Sequence, residues 1–205
     1  VARDMLDGWA RRKIDPALDA MAARLVRAGV SANAVTWGAF AVGAAAALAV
    51  AHGWFLAGAV FLLISRLGDG LDGAVAKRRG RTDLGGFLDI TLDFAFYGLI
   101  PLGFVVADQQ ANGVAGAVLL AAFYANGASF LAYAIMDEKR GLASDARGPK
   151  SLFFTTGLAE ATETIAIFLA MCLFPRWFPV LAYGFAAVTV YTTVARIVLA
   201  TRAFR

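Results

Sequence analysis

Histidine and cysteine are almost missing from this chain of 205 residues, which has one of each, His52 and Cys172. An intrachain disulfide is therefore excluded, His52 at the far end of the first apolar run from the aspartates argues against a His-based zinc site or a Ser-His triad, and Cys172, inside an apolar run, reads as a small packing residue. Charge is scarce as well: Asp, Glu, Lys and Arg make up 17% of the residues against 60% hydrophobic ones, and mean hydropathy is +0.67. A soluble domain of this length does not need so much apolar sequence, so the chain is expected to live in a membrane. Internal repeats and low-complexity linkers are missing too, which leaves a single domain over 1–205. The first residues lack a basic segment running into an apolar stretch with a small-residue cleavage site. No secretory signal is expected, and the first span would itself direct insertion.

What is present is a series of apolar runs, each near the roughly 20 residues that a helix needs to cross a bilayer. Six are expected, at Ala34 to Ala51, Trp54 to Leu67, Gly85 to Val106, Val114 to Met136, Leu152 to Phe174 and Phe178 to Ala200. The second is short because an aspartate-bearing segment continues its helix out of the hydrocarbon. The basic residues segregate: one side collects those before residue 28, Lys77 to Arg81, Lys139 to Lys150, and Arg202 with Arg205, while the other side has Arg176. Both termini are therefore expected in the cytoplasm. In the segment 1–30, Met5, Leu6, Trp9, Ile14, Leu18, Met21, Leu25 and Val26 recur at near-helical spacing among charges. That pattern predicts an amphipathic helix on the membrane surface, its basic groups toward anionic headgroups. The expected fold is all-α and integral to the membrane, with that surface helix followed by a six-helix transmembrane core over 34–200. Nothing in the basic segments calls for a nucleic-acid partner.

The segment GDGLDGAVAKRRGRTDLGGFLDITLD, Gly68 to Asp93, breaks the apolar pattern with Asp69, Asp72, Asp89 and Asp93. Asp69 and Asp72 are three apart and Asp89 and Asp93 four apart, so each pair lies on one face of its helix, at the cytoplasmic ends of consecutive antiparallel spans. Four carboxylates sharing one partly dehydrated pocket repel unless protons or cations compensate them. An all-oxygen set suits a hard divalent ion, Mg²⁺ or Mn²⁺, and two such ions would neutralise four carboxylates. Gly68, Gly70, Gly73, Gly85, Gly86, Ala74 and Ala76 remove side-chain bulk around the same point. Small residues also serve plain helix packing, which does not account for the aspartates. Lys77, Arg78, Arg79 and Arg81 serve as topology signals, with Lys77 the nearest to the carboxylates and a candidate phosphate contact. Thr82 or Asp83 reads as a helix N-cap rather than a ligand.

Together these residues resemble the signature of the CDP-alcohol phosphotransferase family, D-x-x-D-G-x-x-A-R followed by G-x-x-x-D-x-x-x-D. It appears here as Asp69, Asp72, Gly73, Ala76 and Lys77, then Gly85, Asp89 and Asp93. The resemblance implies two divalent ions on the four aspartates and Asp93 as general base on the acceptor hydroxyl. It implies transfer of a phosphatidyl-type group from a CDP-linked lipid such as CDP-diacylglycerol to an alcohol, with release of CMP, and a homodimer. It also assigns Gly73 and Ala76 to making room for the nucleotide, Lys77 to phosphate contact, and Gly85 to close approach of the third span. Asn33 and Thr36 of SANAVT resemble the family's T-P-N-x-x-T stretch near the nucleotide. Lys77 stands where the family has Arg, which loses bidentate phosphate recognition, and Ala32 stands where it has Pro.

The acceptor is less legible. Arg196, inside the sixth span, needs an anionic partner. With Arg147 and Lys150 it would form a pocket for a phosphorylated alcohol, glycerol 3-phosphate first and inositol phosphate next. Glu160 and Glu163, in the fifth span, either pair with Arg196 or Arg66 or bind the hydroxyls or ammonium of serine or an amino-alcohol. Two other classes compete. Membrane prenyltransferases also hold a diphosphate with aspartates, but in two widely separated motifs and with more spans. A divalent-cation transporter would place its carboxylates near the membrane midplane between repeats.

Overall fold

The computed structural model describes residues 16–140 and 161–204. All regular structure among them is helical, and four helices are long and apolar enough to cross a membrane: Ala32–Ala51, Asp83–Ala107, Gln109–Lys139 and Pro175–Ala203. We number the helices α1 (residues 16–27), α2 (Ala32–Ala51), α3 (Phe55–Arg79), α4 (Asp83–Ala107), α5 (Gln109–Lys139), α6 (Ala161–Leu173) and α7 (Phe178–Ala203), the last preceded by a 3-10 turn at Pro175–Trp177. The second expected run does continue past Leu67 as one helix, α3, whose 25 residues end in Lys77, Arg78 and Arg79. Arg66, Asp69 and Asp72 give α3 more charge than the apolar spans carry.

Turn chemistry sets the hairpins. Ser31 caps α2, its hydroxyl accepting from the Ala34 amide at 3.2 Å. At the other end Gly53, at φ 76°, lets the amides of Gly53 and Trp54 reach back to the Val50 and Ala49 carbonyls, both at 2.8 Å. The expected outer loop ADQQANG is shorter than the sequence reading: Asp108 alone separates α4 from α5. Its carboxylate accepts from the Ala111 amide at 3.0 Å, and Asn112 donates from its side chain to the Phe104 carbonyl at 2.8 Å. One cap thus starts α5 while one amide closes α4, so no further loop is needed.

Small residues bring α2 against α3 and α4. A methyl group on Gly68 would lie 2.8 Å from the Ala39 Cβ, one on Gly43 would lie 2.7 Å from the Phe96 ring, and one on Gly103 would lie 2.6 Å from the Ala47 carbonyl oxygen. Behind this contact lies an aromatic core in which Phe104 stacks on Phe178 at 4.7 Å and Phe96, Phe168 and Phe178 are fully buried. Cys172 is buried in the same core, as expected of a packing residue. Helix α1 docks Leu18, Ala22, Leu25 and Val26 on Leu71, Ala74 and Val75 of α3. Part of the apolar face expected to meet lipid is therefore spent on protein packing, while Met21 stays half exposed. Met5, Leu6, Trp9 and Ile14 lie outside the described residues.

Candidate active site

Helices α3 and α4 run antiparallel through a three-residue turn, in which Gly80, at φ 99°, reverses the chain and Thr82 caps α4 by accepting from the Gly85 amide at 3.0 Å. That cap confirms the reading of Thr82 and leaves Asp83 as a first-turn acid. The short turn sets the two aspartate pairs side by side. Asp69, Asp72 and Asp89 each offer a carboxylate oxygen within 4.8 Å of the other two. Asp72 is buried and its Oδ2 has no hydrogen-bond partner, whereas Asp89 is exposed, so the group has a dry wall and an open mouth. A buried carboxylate oxygen with no donor is costly unless a cation answers it. The all-oxygen donor set and this orphaned oxygen fit a hard divalent ion.

Asp93 lines the same pocket but is engaged differently. Its Oδ1 accepts from Arg66 Nη1 at 2.7 Å, and the same nitrogen lies 3.7 Å from Asp69 Oδ1. Arg66, considered from sequence as a partner for a glutamate, thus sits at the floor of the aspartate group, one turn deeper in α3 than Asp69. The signal for it was an arginine in an apolar helix three residues before an aspartate. The space between these groups is small, about 10 Å³, lined by Thr36, Phe40, Arg66, Asp69, Asp89 and Asp93 among others. That is room for one small ion or a water.

The other candidate residues form a rim above this floor. Thr36 is buried beside Asp72 and donates to the Ala32 carbonyl at 3.0 Å. Asn33 meets α4 at Gly85, where a methyl group would lie 3.3 Å from the Asn33 Oδ1, so Gly85 does serve a close approach. A methyl group on Gly73 would meet nothing within 4 Å, so protein packing does not require glycine there. Ala76 is half-buried and Lys77 exposed on the last turns of α3. Arg196 lies apart, between α7 and α5. It donates to the Asn126 carbonyl and Oδ1, both at 3.0 Å, and to Ser129 Oγ at 2.7 Å. Among the described residues its hydrogen-bond partners are neutral oxygens. Glu163 lies in the first turn of α6, and Arg147, Lys150 and Glu160 lie outside the described residues.

The model for CDP-alcohol phosphatidyltransferase matches residues 29–199, from the turn before α2 almost to the end of α7. The chain belongs to the CDP-alcohol phosphatidyltransferase family. It is thus an enzyme, a CDP-alcohol phosphotransferase, held in the membrane by its apolar helices. The inner membrane protein YnjF of Escherichia coli is 44% identical over 193 residues, 94% of each chain. The archaetidylinositol phosphate synthase of Methanothermobacter thermautotrophicus is 35% identical over 161 residues, 78% of this chain and 71% of that one. Among solved structures, the phosphatidylinositol phosphate synthase of Mycobacterium tuberculosis with CDP-DAG bound matches with a TM-score of 0.68 at 26% identity, over 88% of this chain and 91% of that chain. The same synthase in complex with manganese and citrate matches at the same score and identity, over 88% and 87%. In this CDP-alcohol phosphatidyltransferase the carboxylates of α3 and α4 are the acidic group that fits a divalent ion.

Proposed function

We propose that this enzyme transfers the substituted phosphate group of a CDP-linked lipid, such as CDP-diacylglycerol, to a hydroxyl of a phosphorylated polyol and releases CMP. The observation that carries the reading is the convergence of Asp69, Asp72 and Asp89 around an orphaned carboxylate oxygen, on helices that are otherwise largely apolar along their other turns. Asp69, Asp72, Asp89 and Asp93 would hold Mg²⁺ or Mn²⁺, two ions being what the family resemblance implies, and the bound metal would supply Lewis-acid stabilisation of charge on the diphosphate. Asp93 takes the proton from the acceptor hydroxyl, whose oxygen forms a bond to the lipid-bearing phosphorus as the bond from that phosphorus to CMP breaks. Gly73 and Ala76 keep the cytoplasmic face of α3 free of bulk for the nucleotide. Lys77 meets its phosphates, and Asn33, Thr36 and Gly85 form the facing rim.

For the acceptor, the names of the archaeal and mycobacterial relatives favour inositol phosphate over glycerol 3-phosphate. A phosphate on the acceptor suits Arg196 together with Arg147 and Lys150, with Glu163 toward the hydroxyls. In this reading α3 and α6 also span the membrane, giving six spans. The segment before α2 lies on its cytoplasmic surface, both termini and the site face the cytoplasm across the inner membrane, and the protein is a homodimer. The test is CMP release by purified protein given CDP-diacylglycerol, Mg²⁺ and inositol phosphate, glycerol 3-phosphate, serine or ethanolamine in turn. Release with a phosphorylated polyol, lost in Asp93→Asn, is expected. Release with serine or ethanolamine alone would overturn the acceptor assignment. Metal flux into vesicles with no CMP release from any acceptor would favour a cation transporter.

A further inference from the structure

Four carboxylates in one pocket and one guanidinium among them pose a question of charge. Among the described residues, Arg66 is the only Lys or Arg in ion-pair contact with any of the four, at 2.7 Å from Asp93 and 3.7 Å from Asp69. Its side chain is only 10% exposed. Three elements fix it: Nη2 donates to Ser65 Oγ at 3.2 Å, Cζ lies 4.0 Å over the ring of fully buried Phe96, and Nη1 reaches Asp93 across from α3 to α4. Ser65 is itself tied to α2, donating to the Ala39 carbonyl at 2.8 Å. Yet the Arg66 Nε is buried without a partner. A guanidinium present only to stitch helices together would have its donors satisfied. This one leaves a donor unmet while one nitrogen is held on the Asp93 carboxylate.

We propose that Arg66 is a positioning residue, a built-in counter-cation that holds the Asp93 carboxylate in register and competes electrostatically with the divalent ion at the neighbouring carboxylates. The inference deepens the reading of Asp93 as general base and rests on it. Arg66 engages Oδ1 of Asp93 and so restrains that carboxylate, and in this reading Oδ2 serves the acceptor hydroxyl. Its charge, fixed beside Asp69, opposes a divalent cation bound there, so ion binding is weaker than the bare carboxylates would make it.

The experiment compares Arg66→Met and Arg66→Lys with the wild-type protein in two readouts. The first is direct Mn²⁺ titration by electron paramagnetic resonance of purified, folded protein. Arg66→Met should bind Mn²⁺ at least about tenfold more tightly than wild type, and Arg66→Lys close to wild type, because the charge is what opposes the ion. The second is CMP release. Arg66→Met should lose about 10² in kcat with the donor KM within about twofold, and Arg66→Lys should recover part of that loss. Unchanged or weaker Mn²⁺ binding in Arg66→Met overturns the proposal, as does a kcat equal to wild type. If Arg66→Met does not fold, the Arg66→Met/Asp93→Asn double variant removes both charges and still reports Mn²⁺ affinity at the remaining three carboxylates. Tighter binding than in Asp93→Asn alone is expected, and equal affinity overturns the proposal. Should the wild-type protein release no CMP with any acceptor, the functional reading fails, while the Mn²⁺ titrations still decide whether Arg66 opposes the ion.

Discussion

Two arginines sit inside this protein's apolar helices, and the structure answers them in opposite ways. Arg66 is met by carboxylates, Asp93 at 2.7 Å and Asp69 at 3.7 Å, while the orphaned oxygen of Asp72 in the same acidic group goes unanswered. Arg196 is met among the described residues by the neutral oxygens of Asn126 and Ser129, with its guanidinium 5.6 Å over the Phe130 ring. The first constellation has negative charge to spare and the second has positive charge that those oxygens orient without cancelling. In the function proposed above, one draws a cation and the other an anion, and a reaction between a metal-bound diphosphate and a phosphorylated acceptor would use both.

The largest expected effect comes from breaking the acidic side. Asp72→Asn keeps the shape and removes the charge of a carboxylate one of whose oxygens no protein donor meets. Lewis-acid stabilisation is worth several kcal/mol, so CMP release should fall at least about 10³-fold. The same substitution removes a buried negative charge with an unmet oxygen, so without metal the variant should melt at a higher temperature than wild type. Saturating Mg²⁺ or Mn²⁺, at about 100 times its Kd, should stabilise the wild-type protein by about 2.7 kcal/mol and Asp72→Asn by much less. Equal metal stabilisation of both would remove Asp72 from the ion site and undo the contrast between the two arginine neighbourhoods.

Arg196→Met tests the basic side with a smaller effect. Charge-assisted bonds to a phosphate are worth about 1.5–3 kcal/mol, so the KM for a phosphorylated acceptor should rise about tenfold or more while the donor KM and metal stabilisation hold. Stability should change little, because an apolar side chain of similar length suits that depth of the membrane. A rise in donor KM instead would move Arg196 to the nucleotide lipid.

The acidic side was legible in the sequence because its information is local. Asp69 and Asp72, Asp89 and Asp93, Gly85 and the Thr82 cap all lie within one hairpin, where spacing along two helices fixes which side chains meet. The partner of Arg66 was not legible, because Asp93 lies 27 residues away and the pairing depends on the register of α3 against α4. For the same reason the neutral cradle of Arg196, 67 and 70 residues distant, could not be read from the sequence. The α4–α5 loop was read too long because the polar stretch from Gln109 to Gly113 looks like loop until Asp108 is seen capping α5 and Asn112 closing the preceding helix.

The finest distinction lies in the serines that support the two arginines. Each accepts from its guanidinium and donates to a backbone carbonyl: Ser65 to Ala39, Ser129 to Asn126, both at 2.8 Å. The bond to Arg196 is 2.7 Å and that to Arg66 is 3.2 Å, since Arg66 is already drawn toward Asp93. Ser129→Ala should therefore cost about 1.5–2 kcal/mol of stability and raise the acceptor KM several-fold, because among the described residues Arg196 is oriented by neutral acceptors and a ring rather than by a carboxylate. Ser65→Ala should cost about 1 kcal/mol, with a loss of kcat well below that of Arg66→Met, because the carboxylate still holds the guanidinium. Thermal melts and kcat against KM on the two variants decide this. A kcat loss in Ser65→Ala matching that of Arg66→Met would mean that the serine, not Asp93, sets the arginine, and the difference between the two neighbourhoods would then be one of distance rather than of charge.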